Sequence, residues 1–257
     1  MSFLIVILFV FATLDASAKE TSVAKESVAK EIPTLEQAIQ QALTLDADKT
    51  PRSSLILMVK DFYFQIQSKA EQLEVAEEVK EHFQKAVQKS EEKYDEGDED
   101  ISQSNITKLK LGLAGTLNDI YELTAEIQIA KLSLGKLLGR QFGDQSVLAE
   151  AKVKPVSFPF VSLDAFLADQ KEKVADRFEL EKAFISVIKS KNVMLLAKKN
   201  RKITRTLLVT EVANYDFGIG DSGDLFEALI IYTRVLKGYY ASVYEFNLSV
   251  ARLEALH

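Results

Sequence analysis

"NYDFGIGDSGDL", residues 214–225, holds Gly218-x-Gly220-x-x-Gly223, the spacing of a dinucleotide-binding loop. Its reading decides the fold. A phosphate-cradling loop leaves a strand, opens a helix of a βαβ unit and turns backbone amides toward a diphosphate. A plain reversal between two helices needs only one residue that tolerates the left-handed backbone, and glycine is the usual choice. The first alternative makes the chain an α/β nucleotide-dependent protein, and the second makes it a helical one.

Composition favours helices. The chain has 257 residues, with only four prolines and ten glycines, and the stretches between them are rich in Ala, Leu, Glu, Lys and Gln, good helix formers. With 47% apolar residues it can bury a sizeable core. A net charge of -6 argues against affinity gained by neutralising phosphates, so no nucleic-acid partner is expected. The lack of cysteine removes disulfides, thiolate metal sites and a lipid-modified N-terminal cysteine.

Periodicity then outlines the elements. "LEQAIQQALTL", Leu35 to Leu45, reads as a short amphipathic helix that ends before Pro51. From about Ser53 to Lys93, the residues Ile66, Ala70, Leu73, Ala76, Val79, Phe83, Val87, Ser90 and Tyr94 step by threes and fours along one helix face. "YDEGDED", residues 94–100, interrupts them. Beyond it, Ile106, Leu113, Ile120, Ile127 and Leu134 recur at intervals of seven, with Leu109, Thr116, Leu123, Ala130 and Leu137 as the companion row, up to a capping Gly139.

The same plan then recurs. Shifted by 119 residues, the seam reappears as Leu225, Tyr232, Tyr239, Phe246 and Leu253, with Ala228, Val235, Ser242, Ser249 and Leu256 beside it. Leu117, Tyr121 and Glu126 are matched identically by Leu236, Tyr240 and Glu245. Ahead of the turn the shift is 121, pairing Tyr94-Asp95-x-Gly97 with Tyr215-Asp216-x-Gly218, so the first turn carries two extra residues. "LDAFLADQ" at 163 echoes the Leu35 helix, and a helical run from Glu179 to Lys199 follows. Between the copies, "QFGDQSVLAEAKVKPVSFPF" reads as loop with room for one short strand. Tandem duplication of a helical hairpin is therefore the dominant signal.

Duplication answers the question raised by the glycines. The equivalent first turn, "YDEGDEDIS", keeps only Gly97, so the other two glycines belong to no shared phosphate-binding plan. Asp216, Asp221 and Asp224 also crowd the turn with negative charge, which opposes an anionic ligand. The β-branched "ITRTLLVTEVANYDF" just upstream is the one stretch that could supply a strand, and a helix is expected there instead.

Taken together, Tyr-x-x-Gly followed by an acid and Leu, then "EALxxYxxxxxxYYxxVYEFNLSVARL" over Glu227 to Leu253, resembles the second hairpin of the TolC-type outer-membrane efflux proteins. "YDEGDEDISQSNITKLKLGL" with "EIQIAKLSLGKLLG" resembles the first hairpin of that family, and "TLEQAIQQAL" its opening helix. The resemblance covers most of the chain in pieces; its motifs are heptads and turns, specific in their order and twofold occurrence. It implies a trimer in which each chain gives two hairpin repeats to a helical barrel across the periplasm, working with a periplasmic adaptor and an inner-membrane pump. It places Tyr94, Gly97, Asp100, Tyr215, Gly218, Asp221 and Asp224 at hairpin tips, in reach of a channel entrance or a partner hairpin. One departure is plain. The family's membrane strand pairs are expected between its long helices, where this chain has only Pro51 to Leu57 and Ala197 to Arg205, and no alternating segment of membrane-strand length is found.

The fold expected is all-α: two tandem antiparallel coiled-coil hairpins with short accessory helices, a TolC-like α-barrel repeat without a clear β-barrel. The organisation expected is a signal peptide over 1–18, a flexible lead-in over 19–33, a first repeat over 34–139, a linker over 140–161 and a second repeat over 162–257. The apolar run Phe3 to Leu14 ahead of Ala16-Ser17-Ala18 carries the secretory reading, and the lead-in contains the repeated "SVAKESVAKE". The chain is thus expected in the envelope of a Gram-negative bacterium, in the periplasm or outer membrane, as a shortened form of that family.

Other chemistry is thin. His82 and His257 have no evident partner, "DEGDED" lacks the order of a calcium loop, and no nucleophile, base and orienting group occur together. No cofactor, metal or catalytic residue is expected, and the chain is read as a non-enzyme. The aromatic row Tyr232, Tyr239 and Phe246, with Tyr240 and Tyr244 alongside, is read as seam packing. A coiled-coil scaffold of the cell envelope that conducts nothing remains the alternative to a component of an export system.

Overall fold

The computed structural model describes residues 28–46, 50–98, 101–169 and 176–256. The signal-peptide segment, most of the lead-in, Asp100 and His257 fall outside them. The described elements run β1 (Ala29–Ile32), α1 (Leu35–Leu45), α2 (Arg52–Asp95), α3 (Gln103–Leu138), β2 (Phe142–Leu148), α4 (Leu163–Asp169), α5 (Arg177–Phe217) and α6 (Ser222–Glu254). The fold is all-α in architecture, two antiparallel hairpins of long helices, α2–α3 and α5–α6, with short accessory helices.

Four of the helices begin at a side-chain cap. Thr34 and Gln37 form a capping box on α1. Ser102, Asp176 and Asp221 accept from first-turn amides of α3, α5 and α6. Helix α3 stops at Gly139 in the left-handed region, at φ 59°. Helix α2 spans 44 residues, about 66 Å at the usual rise of about 1.5 Å per residue.

The four long helices form a row. Helix α3 packs on α2, α2 on α6 and α6 on α5, which leaves α3 and α5 at the two edges. Three apolar clusters follow its length. At the end away from the turns, α1, α2 and α3 bury Ile32, Leu55, Tyr63, Leu134 and Phe142. Toward the turns, Val79, Phe83, Leu109, Leu229 and Tyr232 join both hairpins. Beneath the second hairpin, Phe158, Phe166, Phe184, Val243 and Phe246 close the core around α4 and the 153–160 segment. Asn247 is buried there, donating to the Lys154 carbonyl and accepting from the Val156 amide at 2.9 Å.

One reading of the sequence changes. The end of the expected flexible lead-in is strand β1, which pairs parallel with β2 so that Ile32 faces Leu148 and is wholly buried. Polar composition concealed this, because a single buried residue, Ile32, anchors the strand and the other strand lies 110 residues further along. The β-branched stretch before Gly218 is helix, as expected, and α5 runs unbroken to Phe217; packing of Thr204, Leu208 and Tyr215 overrides local strand preference. Of the two segments where membrane strand pairs would be expected, Ala197 to Arg205 lies inside that helix, and Pro51 to Leu57 is the N-cap and first part of α2.

Candidate functional site

Both reversals lie at one end of the row. In the first, Gly97 takes φ 85° and donates to the Tyr94 carbonyl at 3.1 Å, while the Asp98 amide donates to Lys93 at 3.0 Å. Ile101 closes this turn with 9% exposure, and Ser102 starts α3. In the second, Gly218 takes φ 74°, and the amides of Ile219 and Gly220 both donate to the Asn214 carbonyl. A side chain on Gly220 would lie 2.8 Å from the Asn214 Cβ, so this glycine permits a close approach. The Asp221 carboxylate accepts from the amides of Gly223 and Asp224.

This geometry disposes of the nucleotide loop. A helix precedes the glycines, no strand leads into them, and the Gly223 and Asp224 amides that would face a phosphate already bind Asp221. Each glycine has a reason in the reversal itself.

The residues singled out at the tips fall into two groups. Gly97, Gly218, Asp221 and Asp224 are exposed. Tyr94 is 45% exposed, whereas its repeat mate Tyr215 is 6% exposed. The Tyr215 hydroxyl shares a 2.8 Å hydrogen bond with the Ser90 hydroxyl and donates to the Ala86 carbonyl, which joins the second tip to α2 of the first hairpin. Burial holds this phenol above its ordinary pKa. Lys89, which the sequence did not flag, donates to the carbonyls of Tyr215 and Asp216 at 2.9 and 3.0 Å, and its ammonium sits 4.9 Å from the centre of the Tyr215 ring. A cation thus satisfies the carbonyl end of α5, where the helix dipole favours it.

The seam residues differ in depth. Ile106, Ile127 and Leu134 are buried, whereas Leu113 and Ile120 are half-buried. In α6, Leu225, Tyr232, Tyr239, Phe246 and Leu253 are all buried. Of the companion row, Leu256 is 43% exposed. The tyrosines also carry polar work that heptad spacing cannot show. Tyr232 donates to Glu78 at 2.8 Å and Tyr244 to Asp61 at 2.6 Å, both across the α2–α6 seam. Burial, then the carboxylate neighbour Glu71, pushes Tyr240 up to about 12. Burial and their carboxylate partners raise Tyr63, Tyr232 and Tyr244 as well.

The grooves are shallow and open. One, of about 320 Å³, lies between α2 and α5 with Tyr232 in it and is lined by Glu78, His82, Arg205 and Asp216. His82 is half-buried there. Among the described residues no group of His, Cys, Asp or Glu is arranged to hold a metal ion, and no helix is long and apolar enough to cross a membrane.

No family model matches the sequence, and no curated protein matches it either. Solved structures do. The chain is similar to the outer-membrane channel OprN with TM-score 0.60 at 13% identity, over 86% of this chain and 69% of that one. It is similar to the outer membrane protein VceC of Vibrio cholerae with TM-score 0.59 at 13% identity, over 86% and 73%. A third likeness is to CusC, whose structures concern transmembrane channel formation, with TM-score 0.54 at 14% identity over 84% and 70%. The fold is therefore that of the helical part of outer-membrane channels. These three structures are of channels and outer-membrane proteins, not enzymes.

Proposed function

We propose that the chain is a TolC-like component of an envelope efflux or export system, a section of wall for a periplasmic conduit. The observation that carries this reading is the pairing of two helix hairpins side by side with both tips at one end, in the arrangement of the outer-membrane channels described above. Its action is passive and needs no catalytic group. Copies of the chain, three by family resemblance, stand together and enclose a path, and the tips form the end that meets a periplasmic adaptor and an inner-membrane pump. Asp221 and Asp224 set negative charge there, together with Gly97, Gly218 and Tyr94 on the exposed surface. The 1–18 segment delivers the chain to the periplasm or outer membrane.

A second reading, an envelope scaffold that conducts nothing, draws on α5 running unbroken through residues 197–205, where a family member is expected to break for membrane strands. Fractionation of expressing cells with mass measurement of the purified protein separates the two. A trimer that travels with the outer membrane supports the conduit; a soluble periplasmic monomer overturns it and leaves the scaffold.

A further inference from the structure

A second groove, of about 280 Å³, lies between α2 and α3 in the half of the first hairpin away from the tips, where β2 packs against α3. Aliphatic side chains make most of its wall: Ile66, Ala70 and Leu73 from α2, Ile127 from α3, and Val147 and Leu148 from β2. Its volume falls just short of the usual span for drug-sized ligands, about 300–1,000 Å³. The space suits a small apolar molecule.

A buried cation stands in this wall. Lys131 is 7% exposed, and its ammonium donates to the carbonyls of Asp144 at 2.9 Å and Gly143 at 3.4 Å. Among the described residues the one carboxylate that acts on it is that of Asp144, which is exposed and forms no hydrogen bond with it. Burial holds the lysine below its ordinary pKa, against the smaller pull of Asp144. A buried charge without a close counter-ion is costly, and two carbonyls leave one of the three N–H donors for the groove. The turn that offers those carbonyls has other ties. The Gly143 amide donates to the Ser146 hydroxyl, which donates to the Ala29 carbonyl, and Ile32 pairs with Leu148. Anchoring the turn therefore does not account for the buried charge.

We propose that this groove binds a small aliphatic carboxylate, with its tail among Ile66, Leu73, Ile127 and Leu148 and its carboxylate on the Lys131 ammonium. The carboxylate is the close counter-ion that a buried ammonium calls for, and the tail takes apolar surface out of water. Asp144 at the rim opposes an anion, but it is exposed, and solvent screens it. A membrane lipid is a poorer fit, since its phosphate carries a glycerol and two chains that about 280 Å³ does not hold. The site goes beyond the conduit reading and does not depend on it, because α2, α3 and the segment around β2 supply the whole of it.

Isothermal titration calorimetry of the purified full chain with butanoate, hexanoate and octanoate tests this, with circular dichroism to confirm folding. Octanoate is expected to bind, and each methylene along the series tightens binding about fourfold. Lys131→Met, which puts an unbranched apolar chain in place of the ammonium, weakens octanoate about tenfold and leaves octanol, the same tail without the charge, nearly unchanged. Ala151→Phe, at an exposed position on the rim, weakens both. Equal octanoate affinity in the wild type and in Lys131→Met overturns the proposal, as does a wild type that takes up no octanoate at millimolar concentration. Flotation with phosphatidylglycerol vesicles is the second arm: capture of the wild type that Lys131→Met abolishes makes this a lipid site and overturns the free acid. None of these outcomes bears on the conduit reading, which fractionation and mass measurement decide separately.

Discussion

Tyr94 and Tyr215 hold the same place in the repeat, three residues before the glycine that ends each descending helix, yet one is largely open to water and the other is buried. The difference comes from neighbours, not from local sequence. Tyr215 meets Ala86 and Ser90 of α2, and Lys89 grips the carbonyls behind it. Helix α2 then continues from Ser90 to Asp95, more than a turn at about 3.6 residues per turn. The first tip therefore projects past this contact, and among the described residues Tyr94 has no equivalent helix beside it. Duplication copied the hairpin but could not copy its surroundings, so Tyr215 is tied to α2 while Tyr94 stays largely exposed.

Truncation breaks the comparison most sharply. Tyr215→Ala removes a buried ring and its hydrogen bonds and should cost about 3–4 kcal/mol in urea unfolding, while Tyr94→Ala should stay within about 0.5 kcal/mol. Removing the hydroxyl alone is milder. Tyr215→Phe leaves Ser90 without its partner and should cost about 1–2 kcal/mol, with no measurable effect of Tyr94→Phe. The reversal glycines should behave alike, because both have positive φ and open space around them. Gly97→Ala and Gly218→Ala should each cost about 1 kcal/mol, and a large inequality would mean that one reversal is not as described.

Lys89→Met should cost about 0.5–1 kcal/mol, since it frees the carbonyl end of α5 from a partly exposed cation. Its sharper readout is hydrogen exchange. Amides from Asn214 to Gly220 should exchange faster, with those around Gly97 unchanged. The smallest effect is alkaline. Tyr215 and Tyr240 are raised in the folded chain, so the stability they contribute is fully present below the unfolded value of about 10. It is lost as pH rises from there through the folded value, about 12 for Tyr240. Urea midpoints should therefore fall above pH 10, and Tyr215→Phe should reduce that fall.

Much of the second tip was legible in the sequence. Comparison with "YDEGDEDIS" removed two of the three glycines from any shared binding plan, and the structure gives them local tasks in the turn. Lys89 was not legible, because an exposed-looking lysine in a charged helix carries no pattern, and its partners are carbonyls 126 and 127 residues away. The same holds for Tyr232 and Glu78, which are 154 residues apart. Heptad spacing placed the ring in the seam and said nothing of the hydroxyl. Strand β1 was hidden for a related reason, since its alternation is too short to register and its stability comes from β2.

By itself the sequence determined the hairpins, their reversals and their inner seams. A seven-residue apolar period and a glycine that can turn left-handed are local properties, and helix formation needs little else. Only the tertiary structure decided which tyrosine is buried, which lysine ties a tip, which strand pairs with which, and which side chains line a groove. Those outcomes depend on side chains far apart along the chain that meet once the helices lie side by side, and no local pattern encodes the meeting.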